Sequence, residues 1–311
     1  MRISLALQGG GSHGAFTWGV LDRLLEEKTL ALDGISGASA GAINAVLLAH
    51  GWTAGGAAGA REALRRFWEG LPRIAPANPV FFLAQFYSPY QLNPFNLNPL
   101  RELLAEQVDF ERLRGERGLK LFIAATRVDT GMPRIFTNQE LSIDVVLASC
   151  CLPQVHHSVR IDGVDYWDGG LTANPPVRPL IYQCTADDVV AVLLNPARRA
   201  ELPFTAEGIR ERLNEMSFTS ALYAELEGIA LAKQAAARNP VPIGGLERRL
   251  KRLRLHFMDS PELMARLEPG SRLDTHPAFL HALFEEGRES VKSLNGPGTI
   301  PLPKRVRAPT R

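Results

Sequence analysis

A serine flanked by small residues is the first candidate for chemistry in this 311-residue chain. Residues 37–41 read Gly-Ala-Ser-Ala-Gly, a G-x-S-x-G pattern centred on Ser39 that joins a short apolar run to the uncharged, helix-favouring stretch 42–49. This layout is typical of a nucleophile elbow, a sharp strand-to-helix turn on which side chains at Gly37 or Gly41 would crowd the backbone. Ser39 would then lie at a helix N-terminus, where free N–H groups favour the negative charge that develops in acyl transfer.

A glycine-rich loop follows the first predicted strand, residues 2–8, and precedes a predicted helix. The loop reads Gly9-Gly10-Gly11-Ser12-His13-Gly14. Consecutive glycines leave backbone N–H groups exposed at a helix start, where they can stabilise the oxyanion of a tetrahedral intermediate. Because the loop and Ser39 each follow one of two neighbouring parallel strands, we expect them to meet at the same edge of the sheet.

The same loop also supports a rival hypothesis. It fits G-x-G-x-x-G, and Asp33 lies nineteen residues beyond Gly14, which are the elements of a dinucleotide-binding oxidoreductase. Two features count against this function. The sequence after Asp33 continues as strand, whereas an acid that contacts ribose should end its strand, and Ser39 would have no role.

A serine nucleophile needs a base, and Asp168 is the stronger candidate. It lies between Trp167 and the pair Gly169-Gly170, where a predicted hairpin ends and glycines allow close approach to another loop. A simple turn aspartate is the structural alternative. Asp162 and Asp165, inside the hairpin, are weaker alternatives.

Histidine bases are the other alternative. A Ser-acid-His triad in α/β-hydrolase order would use one of the last three histidines, but that fold has several strands before its elbow and Ser39 follows only two. The neighbouring pair near Pro153 stays open. The seven histidines are His13, His50, His156, His157, His256, His276 and His281.

Composition limits the remaining choices. With 35 basic and 33 acidic residues the net charge is +2, too balanced to indicate a nucleic-acid partner. The amino terminus has too short an apolar run for a signal peptide, so we expect a cytoplasmic protein. Three cysteines, Cys150, Cys151 and Cys184, match neither a disulfide framework nor a zinc spacing and indicate reduced thiols. Residues 34–60 lack charge but contain several glycines, which favours a buried helix over a membrane span.

The order of predicted elements indicates an α/β fold with a mostly parallel sheet. Residues 72–99 are rich in Pro, Asn and aromatics and are interpreted as an excursion covering the site, within one domain over 1–294. Residues 295–311 form a basic, Pro/Gly-rich tail. Further strands are predicted at 119–126, 134–136, 159–167 with a turn at Asp162-Gly163, 188–194 and 253–258, and further helices at 98–108, 142–149, 206–238 and 276–294.

Taken in order, the glycine loop, the Gly-Ala-Ser-Ala-Gly elbow and Asp168-Gly169-Gly170 resemble the patatin-like phospholipases, over roughly residues 2–195 and including the Asn-Pro and Trp-Asp-Gly-Gly sequences. The resemblance implies a three-layer α/β/α sandwich, a Ser39–Asp168 dyad, and an oxyanion hole formed by the amides of Gly9, Gly10 and Gly11. The implied activity is hydrolysis of acyl esters of lipids, of phospholipase A or lysophospholipase type, with no metal and no cofactor.

Several points stay open under this resemblance. The family usually carries Arg or Lys where this chain has His13, which puts the head group in doubt. Thioesters or short esters are alternative substrates, and a catalytically silent lipid-binding protein is a further alternative. The basic segment 247–254 and the tail could contact an anionic membrane peripherally, but a solvated charged face is the favoured interpretation of the segment.

Overall fold

The computed structural model describes residues 2–73, 87–196, 202–238, 244–267 and 270–292. Within these ranges, eight strands form one sheet. Seven of them follow the order β5-β6-β3-β2-β1-β7-β8, and the eighth, β4, also pairs with β3. The strands are β1 (Arg2–Leu7), β2 (Ala31–Gly37), β3 (Lys120–Arg127), β4 (Pro133–Thr137), β5 (Val159–Ile161), β6 (Val164–Asp168), β7 (Asp188–Val192) and β8 (Arg254–Met258).

Helices precede, connect and follow these strands. They are α1 (Gly14–Leu24), α2 (Ala40–Gly70), α3 (Pro89–Leu92), α4 (Pro99–Gln107), α5 (Phe110–Gly115), α6 (Ile143–Ser149), α7 (Arg178–Gln183), α8 (Ala206–Arg238), α9 (Gly245–Arg252), α10 (Pro261–Arg266) and α11 (Pro277–Lys292). Of these, α3, α5, α7, α9 and α10 are short helices that the sequence pattern did not predict.

The predicted α/β fold with a mostly parallel sheet is confirmed. The five neighbouring strands β3, β2, β1, β7 and β8 are parallel; β4 and β6 pair antiparallel with β3, and β5 pairs antiparallel with β6. The hairpin of β5 and β6 turns at Asp162 and Gly163, which both have positive φ (48° and 81°), as a two-residue hairpin turn requires.

Side chains alternate between the two faces of the sheet and build two cores. On β1, Leu5 and Leu7 pack with α1, α2 and α11, whereas Ala6 packs with α7, α8 and α9 on the opposite face. Helices therefore cover both faces of the sheet, which is the three-layer α/β/α arrangement.

The C-terminal helix α11 belongs to the first of these helical layers, a role that sequence analysis did not assign. Trp18 of α1 stacks on Phe284 of α11 with ring centroids 4.0 Å apart, and Arg288 pairs with Asp22. Because α1 lies between the sheet and α11, it is buried nearly all round and not only on the single apolar face that its sequence predicts.

The long uncharged stretch runs from the end of β2 into the first half of α2; residues 40–49 are buried in the core, whereas residues 53–59 are partly exposed. The helix is broken at Gly55 and Gly56, whose backbone angles are not helical. Among the helices that the structure describes, none combines the length and apolarity needed to cross a membrane.

The predicted excursion, residues 72–99, is described only in part, since residues 74–86 lie outside the described ranges. Its later part forms α3, where the Tyr90 ring stacks on His157 at 4.1 Å. A covering role for this segment stays a prediction. The proposed tail, residues 295–311, also lies outside the described ranges.

Candidate active site

Ser39 lies at the end of β2, on the strained turn that the sequence pattern predicts. Its backbone has φ 52° and ψ −127°, a region that non-glycine residues rarely adopt. It directly precedes α2, and its N–H donates to Oγ of Ser149 at 3.0 Å. A Cβ at Gly41 would lie 2.0 Å from the carbonyl oxygen of Leu7, so the turn fits against β1 only because position 41 has no side chain. Gly37, at the end of β2, faces Gly41 across the same turn.

Asp168 reaches Ser39 because two strands converge on β3. The pairs Gly37–Ile123 and Asp168–Ala125 show that β2 and β6 end two residues apart along β3. Since β4 occupies the other edge of β3 from Phe122 to Thr126, β2 and β6 share one edge and approach each other from opposite directions. The carboxylate of Asp168 therefore lies beside the Ser39 turn.

The environment of Asp168 is unfavourable for a charge. The residue is fully buried, Oδ1 accepts the Gly170 N–H at 2.7 Å, and Oδ2 accepts no hydrogen bond from the described residues. Burial raises the pKa of Asp168 to about 7, although the Gly170 amide and the nearby Ser39 hydroxyl favour the charged form. A carboxylate with a pKa near neutrality is a better general base than an ordinary aspartate. Gly169 packs on the backbone of β3 at Ala124.

The glycine loop lies against Ser39 at the same edge of the sheet. A Cβ on Gly9 would be 2.7 Å from Ser39 Cβ, and Gly14 packs on Ala40 at the start of α2. The Gly9 N–H is already used, because it donates to Oδ1 of Asn174 at 2.6 Å. Within the described part of the chain, the N–H groups of Gly10, Gly11 and Ala40 have no acceptor.

Two buried amides that sequence analysis missed hold this loop. Gln8 Nε2 donates to the Asn174 carbonyl oxygen, and Gln8 Oε1 accepts the N–H groups of Leu194 and Asn195. Asn174 Nδ2 donates to the carbonyl oxygen of Phe218 on α8. The loop is therefore bonded to the end of β7, to the segment after Asp168 and to α8. Single polar residues next to glycine or proline carry no pattern from which these long-range bonds could be predicted.

His13 does not contribute to the Ser39 turn in this structure. Its Nε2 is 2.9 Å from Oγ of Ser271, and its ring packs edge-on against Phe279. Both partners come from the C-terminal part of the chain, which thus covers the outer side of the glycine loop.

The alternative histidine bases lie elsewhere. His256 is paired with Asp188 at 2.7 Å and stands three strands from β2, roughly 14 Å across the sheet. His276 caps the start of α11 and His281 is exposed on it. His156 and His157 lie on the loop before β5, and the His157 carbonyl oxygen accepts the Cys151 Sγ–H.

The thiols next to the site are neutral. Cys150 contacts the Ser39 hydroxyl, and Cys151 is buried beside Asp168. Burial, together with the negative charge of Asp168, raises the pKa of Cys150 well above its usual range and that of Cys151 to about 12. Cys184 is buried directly after α7, and all three cysteines are reduced.

The rival dinucleotide site lacks its acid. Asp33 lies inside β2, which continues to Gly37, and its carboxylate accepts N–H groups of Thr185 and Ala186. It therefore lies near the amino ends of the parallel strands, whereas the glycine loop lies at their carboxyl ends.

The Ser39 turn, a buried carboxylate and free backbone amides lie together at the carboxyl ends of the strands, and groups of these kinds are the ones that nucleophilic acyl transfer needs. Residues 5–181, more than half of the chain, match the sequence model of the family described as patatin-like phospholipase. The chain belongs to the patatin-like phospholipase family.

Two further similarities complete the comparison. The chain is 28% identical over 187 residues to "Uncharacterized protein YjjU" of Escherichia coli (strain K12), a match that covers 57% of this chain and 48% of that protein. The chain thus spans about half the length of this curated relative. The crystal structure of VipD from Legionella pneumophila superimposes with a TM-score of 0.42 at 14% identity, covering 94% of this chain and 66% of VipD.

Proposed function

We propose that the protein is a serine acyl hydrolase that cleaves carboxylic esters of lipids, of phospholipase A or lysophospholipase type, through Ser39 and Asp168. The observation that carries the proposal is the convergence of β2 and β6, which brings the Ser39 turn and a fully buried Asp168 to one point on β3. Family membership supports a lipid ester as the substrate class.

The first chemical step is attack of Ser39 Oγ on the ester carbonyl carbon. Asp168 accepts the hydroxyl proton as the C–O bond forms, and its raised pKa brings its basicity closer to what the transfer needs. The oxyanion is stabilised by the free amides of Gly10, Gly11 and Ala40, because these donors are fixed at a helix start before the reaction begins. The proton then passes to the leaving alkoxide.

Deacylation repeats the same steps with water as the nucleophile. Asp168 takes a proton from the water that attacks the acyl-Ser39 ester, and the same amides hold the second oxyanion. Gly9 contributes differently from its neighbours, since its N–H holds Asn174 and thereby fixes the loop.

Exposed apolar side chains on both sides of the site favour a lipid over a soluble ester. Tyr90 and Phe95 lie on the segment beside His157, and Leu213 and Met216 lie on α8 within two turns of Phe218, which contacts Gly170. We infer that these side chains contact the acyl chain or the surface of a lipid aggregate.

Hydrolysis of p-nitrophenyl butyrate, a lysophospholipid and an acyl thioester by wild type, Ser39→Ala and Asp168→Asn tests the proposal. We expect wild-type activity that both variants lose, and covalent labelling of Ser39 by a fluorophosphonate probe, located by mass spectrometry. An Asp168→Asn enzyme with full activity would refute the dyad and return attention to His156 and His157. Faster turnover of the thioester than of either ester would reassign the substrate class.

A further inference from the structure

A cavity of about 260 Å³ lies next to the proposed site and is lined by groups that suit an anion. Its walls come from the segment before α4, from α4 and α6, and from the loop that leads into β5. Its polar lining includes Asn98, Arg101, Asp144, His156 and Arg160.

The lining carries surplus positive charge. Arg101 is balanced by Asp144, with which it forms an ion pair. Arg160, on β5, donates to the Gly163 carbonyl oxygen at 3.2 Å and forms no ion pair with a carboxylate of the described residues. The Arg160 guanidinium therefore lines the cavity without an ion pair, and its cross-strand neighbour Asp165 accepts the hydroxyl of Ser158, another lining residue.

His156 adds a second binding group. Its ring is half-buried in the lining and makes no hydrogen bond with the residues that the structure describes. Burial and the neighbouring His157 lower the pKa of His156, so an anion placed beside it would favour the protonated form and gain a charge-assisted hydrogen bond.

The cavity shares a wall with the catalytic candidates. Cys151 lines it, and the Cys151 carbonyl oxygen accepts the Asp168 N–H at 2.8 Å. Leu147, also in the lining, is two residues from Ser149, which accepts the Ser39 N–H. The segment 147–151 thus contributes both to the lining of the cavity and to the surroundings of Ser39 and Asp168.

We propose that this cavity binds the phosphate of a glycerophospholipid or lysophospholipid substrate while Ser39 attacks the ester, an inference that rests on the proposed function. A guanidinium on β5 and an imidazole on the loop before it suit a group whose oxygens accept hydrogen bonds from several donors. An acyl chain in the same place would leave these polar groups desolvated and unpaired. His13 is held by Ser271, so Arg160 and His156 supply the head-group contacts.

Matched substrates test this assignment. A lysophosphatidate and the monoacylglycerol with the same acyl chain share the scissile ester and differ only in the phosphate. In Arg160→Gln we expect the ratio of their kcat/KM values to fall about tenfold or more, the effect of losing one charged hydrogen bond. Arg117→Gln removes the same charge from an exposed position before β3 and should leave the ratio unchanged.

A ratio that Arg160→Gln does not alter, in an enzyme that hydrolyses both lipids, would overturn the proposal. NMR titration of the His156 ring with inorganic phosphate and with glycerol 3-phosphate distinguishes this result from failure of the proposed function. If no ester is hydrolysed, the cavity is still supported by a phosphate-induced rise in the His156 pKa that Arg160→Gln abolishes, and contradicted by its absence. Phosphate binding with an unaltered lipid ratio would assign the cavity to free phosphate and refute the head-group role.

Discussion

Two buried aspartates at opposite ends of the parallel strands show how differently one residue type is used. The side of the sheet where these strands begin is called the amino edge below, and the side where they end the carboxyl edge. Asp33, near the amino ends of the strands, is 1% exposed, accepts hydrogen bonds from Thr185 and Ala186, and pairs with Arg2 at 2.8 Å. Burial opposes its charge, but these partners outweigh burial and lower its pKa. Asp168 is equally buried but accepts only one N–H, that of Gly170, with the Ser39 hydroxyl nearby, and burial raises its pKa to about 7. The partners of Asp33 stabilise the fold at the amino ends of the strands, whereas burial at the carboxyl ends disfavours the charge of Asp168, the proposed general base.

The largest expected effect is that Asp168→Asn and Asp33→Asn change activity and stability in opposite ways. Asp168→Asn should lower kcat by about a hundred- to ten-thousand-fold because the general base is lost. At pH 8, above both the unfolded pKa and the folded value of about 7, the wild type bears the full cost of a buried charge, at most about 4 kcal/mol. The variant should therefore be more stable than wild type at pH 8, with the gain disappearing below about pH 4.

Asp33→Asn should do the opposite. The pKa of Asp33 is lowered in the folded protein, so its ionisation stabilises the fold at pH values above the unfolded pKa. The substitution should therefore lower the free energy of unfolding by about 1–3 kcal/mol at pH 7, while kcat stays within a few-fold of the wild-type value. Urea denaturation and ester hydrolysis, measured on both variants, check the pair. Loss of activity in Asp33→Asn with retention in Asp168→Asn would reverse the assignment of the two edges.

The next largest effect is on kcat/KM, which should change about tenfold per pH unit below the pKa of Asp168. Only ionised Asp168 can accept the Ser39 proton, so kcat/KM for p-nitrophenyl butyrate should rise with pH up to about 7 and then level off. The thiols of Cys150 and Cys151 stay protonated throughout this range because their pKa values are raised.

A histidine base would give a pH profile with a similar midpoint, and the effect of an organic cosolvent on that midpoint distinguishes a carboxylate base from an imidazole. A less polar solvent disfavours the charged form, which raises the pKa of a carboxyl group and lowers that of a histidine. The midpoint should therefore move to higher pH when an organic cosolvent is added. A downward shift would contradict Asp168 as the base.

Sequence reasoning predicted the parts of this molecule that depend on local pattern. The periodicity of apolar residues predicted the α/β class, and Asp162-Gly163 predicted the hairpin, because the backbone conformation at these places depends on neighbouring residues. Glycines around Ser39 indicated the turn, since close approach of backbones excludes larger side chains.

Contacts between distant segments could not be predicted in this way. The bond between Gly9 and Asn174 joins residues 165 positions apart and removes one amide from the predicted oxyanion hole. The contacts of His13 with Ser271 and of α1 with α11 involve a C-terminal region whose sequence reads only as generic helix and strand. Such contacts follow from the three-dimensional packing and not from any local preference.

The smallest expected effect concerns the basic helix α9 at the amino edge. Arg249 of this helix bonds to the carbonyl oxygen of Thr185 and to Asp187, immediately before β7, so roughly 13 Å of β7 separates α9 from the edge that carries Ser39. A membrane that met the exposed face of α9 would contact the protein at the end remote from the proposed catalytic turn. Neutralising Arg248 and Lys251 as the double variant Arg248→Gln/Lys251→Gln should therefore change hydrolysis of lipid in anionic vesicles by less than about twofold.

Changing the apolar side chains near Phe218 should matter more, because they lie at the carboxyl edge. We expect Leu213→Ser/Met216→Ser to lower vesicle hydrolysis several-fold more than it lowers hydrolysis of soluble p-nitrophenyl butyrate, which needs no lipid surface. Vesicle sedimentation and product release, measured on both double variants, decide between the two edges. A large loss in the α9 variant with none in the α8 variant would mean that lipid reaches the protein at the amino edge, and the carboxyl-edge route would have to be abandoned.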